Sequence, residues 1–227
     1  FYKTILHGLV PFPGDLLIAE YNPWKTYSYL GYNPGSYPNK AQYFDVLRQF
    51  YPWKTFTVDL IKQRILPFWN PYNFSGAPLL SNFQSAVFYP LAALYTFLPQ
   101  VVAWTFLVVA QPLFAAFFTY LFSRKIGISK IGSLFAAVSF AFSSFVSVWL
   151  EYNIIGHVIL WLPLSLLAVE MLLGKITILW MMIFIASIVF ALLAGHPQIF
   201  TYEYIFVSAY VIYRTLSFRH SGKRRRS

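Results

Sequence analysis

Cysteine is absent from all 227 residues, so disulfides and thiolate-held metals are excluded and the redox compartment is left open. Charge is scarce as well: 11% of the residues are Asp, Glu, Lys or Arg, and only seven are acidic. That is too little charge to cover a globular surface in water. An initiating methionine is missing too, since the chain starts at Phe1; the expectation is a fragment whose signal or first span lies upstream. What fills the space is apolar and aromatic. With 58% hydrophobic and 21% aromatic residues and a mean hydropathy of +0.57, the sequence reads as an all-α polytopic membrane protein.

From about residue 101 the apolar runs are long and the polar punctuation between them is short. "VVAWTFLVVAQPLFAAFFTYLF" (101–122) and "IGSLFAAVSFAFSSFVSVWL" (131–150) are each long enough to cross roughly 30 Å of hydrocarbon as a helix. A run at 154–173 carries Pro163, which a membrane helix tolerates when neighbours satisfy the freed carbonyl. Runs at 176–195 and 198–213 follow, so about five spans are expected over 101–213.

The cations set a direction. Arg124, Lys125 and Lys130 fall between the first two runs, Lys175 between the third and fourth, and Arg214, Arg219, Lys223, Arg224, Arg225 and Arg226 after the fifth. The connections at 151–157 and 195–198 have neither lysine nor arginine. By the positive-inside rule the basic side, including the tail at 214–227, is cytoplasmic. The net charge of +10 is then an anchor at anionic lipid, and no nucleic-acid partner is needed to explain it.

Residues 1–100 become one long outer loop. The stretch "LPFWNPYNFSGAPLLSNFQSAVFYPL" (66–91) is apolar but broken by proline and glycine, and its continuous part, 86–98, is too short to span. A helix or re-entrant piece at the outer interface is expected, with Trp69, Tyr72, Phe74, Phe83, Phe88 and Tyr89 in the aromatic belt. "PWKT" occurs at 23–26 and 52–55, each proline suited to open a helix. After the second copy, Trp53, Phe56, Leu60 and Ile61 form an apolar stripe, with Lys54, Asp59, Lys62 and Gln63 elsewhere on the wheel. "GYNPGSYPNK" (31–40) reads as a mobile turn.

The titratable groups other than topogenic cations gather on the outer side: Asp15, Glu20, Asp45 and Asp59 in the loop, Glu151 and His157 in one connection, His196 in the next. Glu203 lies about a turn inside the last run, where an acid is costly and usually faces a bundle interior or cavity. Plainer roles stand beside these. Glu151 and His157 could cap helix ends, Gly195-His196-Pro197 could be a turn, and Asp45 could pair with Arg48 one turn on.

The succession "PFPGDLL", "YNPW", "DVLRQFYPWK", "WNPYNFSGAPLL…FYPL", "FAFSSF", "GHVILWLPL" and "LAGHPQIF" resembles the N-terminal part of the bacterial YfhO-like membrane proteins, which are similar to GT-C glycosyltransferases. The likeness covers most of residues 11–202. It implies transfer of a sugar from a polyprenyl-phosphate donor to an acceptor at the outer face of the cell membrane, with an acid in the first outer loop as base. Asp15 is the best match for that acid and Asp45 the second. Arg48, Lys54, Lys62 and Arg64 are the cations at hand for the phosphate, and Glu151, His157, His196 and Glu203 the further candidates for substrate contact. A divalent cation is the cofactor such a reaction brings to mind, although no acid pair stands together in the loop to mark its ligands. The rival readings are a transporter or flippase working through Glu203, and a membrane fragment without activity of its own.

Overall fold

A computed structural model describes residues 2–28, 33–34 and 43–224, with side chains through residue 218. Most of the turn expected at 31–40 and the end of the basic tail fall outside these residues. The described chain is mostly helical, with a single two-residue ladder, and forms two compact units.

The first unit comprises residues up to Val87, Leu91–Val109 and the short return Glu151–Asn153. It contains α1 (Tyr2–His7), α2 (Asp15–Glu20), a π-helical turn Val46–Phe50 running directly into α3 (Tyr51–Lys62), and α4 (Leu94–Phe97). Its core is aromatic. Trp104 is fully buried, donates from its indole to the Pro11 carbonyl at 3.0 Å and meets Phe12 and Tyr51 edge-on at 5.6 and 5.4 Å between ring centres. Phe50 and Tyr43 both pack on Tyr152, at 5.3 Å each.

The proline-broken stretch at 66–91 holds itself by local hydrogen bonds. β1 (Trp69–Asn70) pairs antiparallel with β2 (Ala77–Pro78), and Leu79 N–H donates to the Phe68 carbonyl at 2.8 Å. Gly76 closes the loop at φ +117°, and a β-carbon there would lie 2.4 Å from the Trp69 ring, so only glycine fits. Asn82 then caps a 3-10 turn, Phe83–Ser85. Of the two forms expected here, a helix or a re-entrant piece, the helix gives way to a hairpin-like fold, because proline removes amide donors while the Asn70 and Asn82 side chains accept from backbone N–H groups. Residues 86–98 reach only a 3-10 turn (Pro90–Ala93) and the single turn of α4. Trp69, Tyr72, Phe74, Phe83 and Phe88 are exposed as anticipated for a lipid-facing ledge, but Tyr89 is buried.

The second unit takes Phe88–Pro90, Ala110–Leu150 and the chain from Ile154 onward. α5 (Gln100–Lys125) ends with Gly127 at φ +94° and Ile128 N–H bonded to the Ser123 carbonyl, a Schellman-type stop. Ser129 caps α6 (Lys130–Ala141) by accepting from Gly132 N–H at 3.1 Å. The run expected as one helix over 131–150 is interrupted at Phe142–Ser143, where Ser143 caps a new helix, α7 (Ser144–Trp149). Asn153, at φ +57°, turns the chain into α8 (Ile155–Ile159), and after Leu160–Trp161 it resumes as α9 (Leu162–Gly174) with Pro163 in the first turn, where no amide hydrogen is needed. α10 (Ile178–Leu193) and α11 (Pro197–Arg224) complete the unit.

Among the described residues, three helical segments are long and apolar enough to cross a membrane: Gln100–Lys125, Lys130–Tyr152 and Ile155–Gly174. The Ile155–Gly174 segment is 72% buried and the Lys130–Tyr152 segment 22%, so the former runs through protein while the latter shows most of its surface outward. α10 is apolar but shorter, about 24 Å at 1.5 Å per residue. α11 has length to spare, with Gln198, Glu203, Arg214 and four tyrosines (Tyr202, Tyr204, Tyr210, Tyr213) along it.

Candidate functional site

The polar groups of the first unit converge where α3, α4 and the return at 151–153 come together. Sequence periodicity puts Lys54 on the wetted side of α3, yet the buried face of the helix is Lys54, Thr57 and Val58, while Ile61 from the apolar stripe is exposed. An interfacial helix can turn its apolar stripe to lipid and its polar face to protein. Lys54 is 5% exposed, and its ammonium sits over the Tyr95 ring, 5.5 Å from the centre. Burial pulls this lysine from 10.5 down to about 8. Tyr95 is itself buried, which raises its hydroxyl well above the usual range, and it accepts a hydrogen bond from the Asn153 amide at 3.1 Å.

Two carboxylates, Asp45 and Glu151, belong to the same unit. Tyr43 is buried against Tyr152; burial, then the Glu151 charge, pushes its hydroxyl to about 12. Asp45 is exposed, close enough to Tyr152 for its charge to be felt there. The ion pair expected between Asp45 and Arg48 does not form. Arg48 donates instead to the Tyr21 hydroxyl at 2.6 Å and lies 4.7 Å over the Phe44 ring; the π-helical turn at 46–50 replaces the α-helical spacing on which that pairing depended. Asp15 opens α2, a favourable place for an acid, and Tyr21, the residue holding Arg48, follows the same helix. Arg64 stands past the end of α3 at φ +60° and is exposed.

Chemically, the first unit holds a buried ammonium, two phenols, an amide and the acids Asp45 and Glu151, groups of the kinds that attract an anion and accept a proton from a hydroxyl. Among the described residues, no three His, Asp or Glu side chains gather as a metal site.

The remaining candidates belong to the second unit. His157 is 2% exposed, with Nδ1 3.1 Å from the Tyr89 hydroxyl, which also accepts from the Trp161 indole at 3.3 Å. This explains why Tyr89 leaves the aromatic ledge: its hydroxyl has buried partners. His196 accepts from Ile199 N–H at 3.4 Å at the start of α11, and burial draws its imidazole below the ordinary value. Glu203, 3% exposed, has no hydrogen-bond partner for either carboxylate oxygen.

Sequence reasoning missed Tyr43, Tyr95 and Asn153, and treated 151–157 as an open connection although residues 152–157 are buried. A usable signal was Asn153 itself, since asparagine after a helical run commonly marks a left-handed turn. It also missed the tie between Glu170 and Arg214, whose guanidinium grips both carboxylate oxygens at 2.5 and 2.6 Å while Tyr210 donates at 2.6 Å. No family model, curated protein or solved structure matches the chain.

Proposed function

We propose that this chain is part of a GT-C-like integral membrane glycosyltransferase that moves a sugar from a polyprenyl-phosphate donor to an acceptor hydroxyl at the outer face of the membrane. The observation that carries the reading is the buried Lys54 over the ring of Tyr95, whose hydroxyl accepts from Asn153, in one unit with Tyr43, Asp45 and Glu151. The YfhO-like sequence blocks support it independently. α10 and α11 are the fourth and fifth spans in this reading, the basic connections are cytoplasmic, and the first hundred residues face outward.

In the reaction, the acceptor oxygen bonds to the anomeric carbon as the bond from that carbon to the phosphate oxygen breaks. The electron pair leaves with the phosphate, where Lys54 and Arg48 offset the growing charge. The acceptor proton passes to a carboxylate, Asp15 on the family likeness or Asp45 on its place beside Tyr152. The exposed aromatics of 66–91 provide the surface against which the prenyl chain lies.

The test is label transfer. Full-length protein in nanodiscs, given radiolabelled polyprenyl-phosphate sugars, is expected to pass label to an acceptor, and Asp15→Asn or Asp45→Asn to lower the rate about a hundred- to ten-thousand-fold. Full activity in both variants would remove the carboxylate mechanism. The second reading, a transporter or flippase, draws on Glu203 beside helices interrupted at 142–143 and 160–161.

A further inference from the structure

Glu203 opens onto a groove of about 350 Å³ in the second unit, which is the scale of a small-molecule site. Among the described residues neither of its oxygens has a hydrogen-bond partner, and the residue is 3% exposed. A carboxylate so placed needs donors that the protein does not provide. The groove surrounds it with Phe140, Phe145, Tyr202 and Phe206. Ser143 lines the groove at the helix break, its hydroxyl oxygen taken up in accepting from Val146 N–H.

We propose that this groove binds a lipophilic ammonium, with the N–H groups of the cation on Glu203 and its alkyl body along the aromatic walls. Three features select that class. The two vacant acceptors call for N–H donors, so a primary or secondary ammonium satisfies them and a quaternary one does not. Aromatic faces attract a cation as well as a hydrocarbon chain. The residues lining the groove include no lysine or arginine, so a zwitterionic headgroup would bring a phosphate with nothing to receive it. The ligand therefore carries an ammonium alone. This site is independent of the transferase chemistry, which uses residues of the first unit.

A dodecylammonium carrying a photoreactive diazirine on its chain tests the site on the full-length protein in phosphatidylglycerol nanodiscs. Label is expected in peptides covering 140–146 and 199–206, suppressed by excess dodecylammonium and not by dodecanol or dodecyltrimethylammonium. Glu203→Gln is expected to weaken labelling about tenfold or more, as loss of a charge-assisted contact does. Equal suppression by dodecanol would reduce the groove to a hydrocarbon slot and overturn the proposal. So would undiminished labelling of Glu203→Gln. Suppression by phosphatidylethanolamine in place of phosphatidylglycerol would overturn the choice of a bare ammonium. The competition series needs only the wild-type chain, so it decides the matter even if the variant fails to fold.

Discussion

Replacing Lys54 with methionine keeps the length and apolar stem of the side chain and removes the ammonium. Burial lowers this lysine from 10.5 to about 8, so charging it in the folded protein at pH 7 costs about 3 kcal/mol relative to the unfolded chain. The Tyr95 ring, 5.5 Å away, returns about 1–2 kcal/mol of cation–π attraction at a desolvated site. Lys54→Met is therefore expected to stabilise the protein by about 1–2 kcal/mol at pH 7, measured by tryptophan-fluorescence unfolding in mild detergent. The sign with pH follows from proton binding. Between about pH 8 and 10.5 the unfolded chain holds the Lys54 proton and the folded protein releases it, so parent stability rises with pH across that window and the burden falls to under about 1 kcal/mol by pH 10. In the label-transfer assay the same variant should lose activity, because a costly buried cation is retained for its charge. A Lys54→Met protein less stable than its parent at pH 7 would refute the reasoning, since it would mean that a compensating anion faces the ammonium.

Glu170→Gln should lower stability by about 2–3 kcal/mol, because it breaks a hydrogen-bonded pair whose acid is 6% exposed and whose arginine is 35% exposed; the same unfolding assay reads it. Gly156→Ala should cost about 1–3 kcal/mol, since the new methyl would lie 1.9 Å from the Gln111 amide oxygen, and Gln111→Ala in the same chain should recover part of the loss in a double-mutant cycle. Trp104→Phe should cost about 1 kcal/mol through the lost bond to Pro11, and Trp104→Ala about 3–5 kcal/mol. In the cysteine-free chain, a single cysteine at Phe74, 95% exposed, should react with an impermeant thiol reagent on intact cells, and one at Ser129 should not; labelling at Ser129 would invert the proposed sidedness.

The apolar helices were legible because length and hydropathy are local properties: α5, α10 and the Ile155–Gly174 segment that α8 and α9 share fall within a few residues of the runs read from composition. The break inside 131–150 was not, although "SS" at 143–144 carries the capping serine; in a run this apolar a capping residue is hidden by the hydropathy around it. Lys54 was assigned to water because amphipathic reasoning takes water as the polar solvent, whereas a helix against lipid can reverse its faces. Pairings such as Glu170 with Arg214, 44 residues apart, and Tyr95 with Asn153, 58 apart, have no trace in periodicity, because helix packing and not spacing brings them together. Glu203 stood out in the sequence as an acid in a costly place; that it is 3% exposed, with no hydrogen-bond partner for either oxygen among the described residues, required coordinates.

The three residues Glu151–Asn153 belong to the first unit although some forty residues of the second unit precede them in the chain. Synthesis therefore reaches Gln100 with the Tyr43 and Phe50 rings lacking Tyr152 and the Tyr95 hydroxyl lacking Asn153. At about 5–20 residues per second, the gap lasts roughly 3 to 10 seconds. The first unit is thus completed only after α5, α6 and α7 have been made, and any shortened version cut before Glu151 removes the clasp of the unit it was meant to isolate.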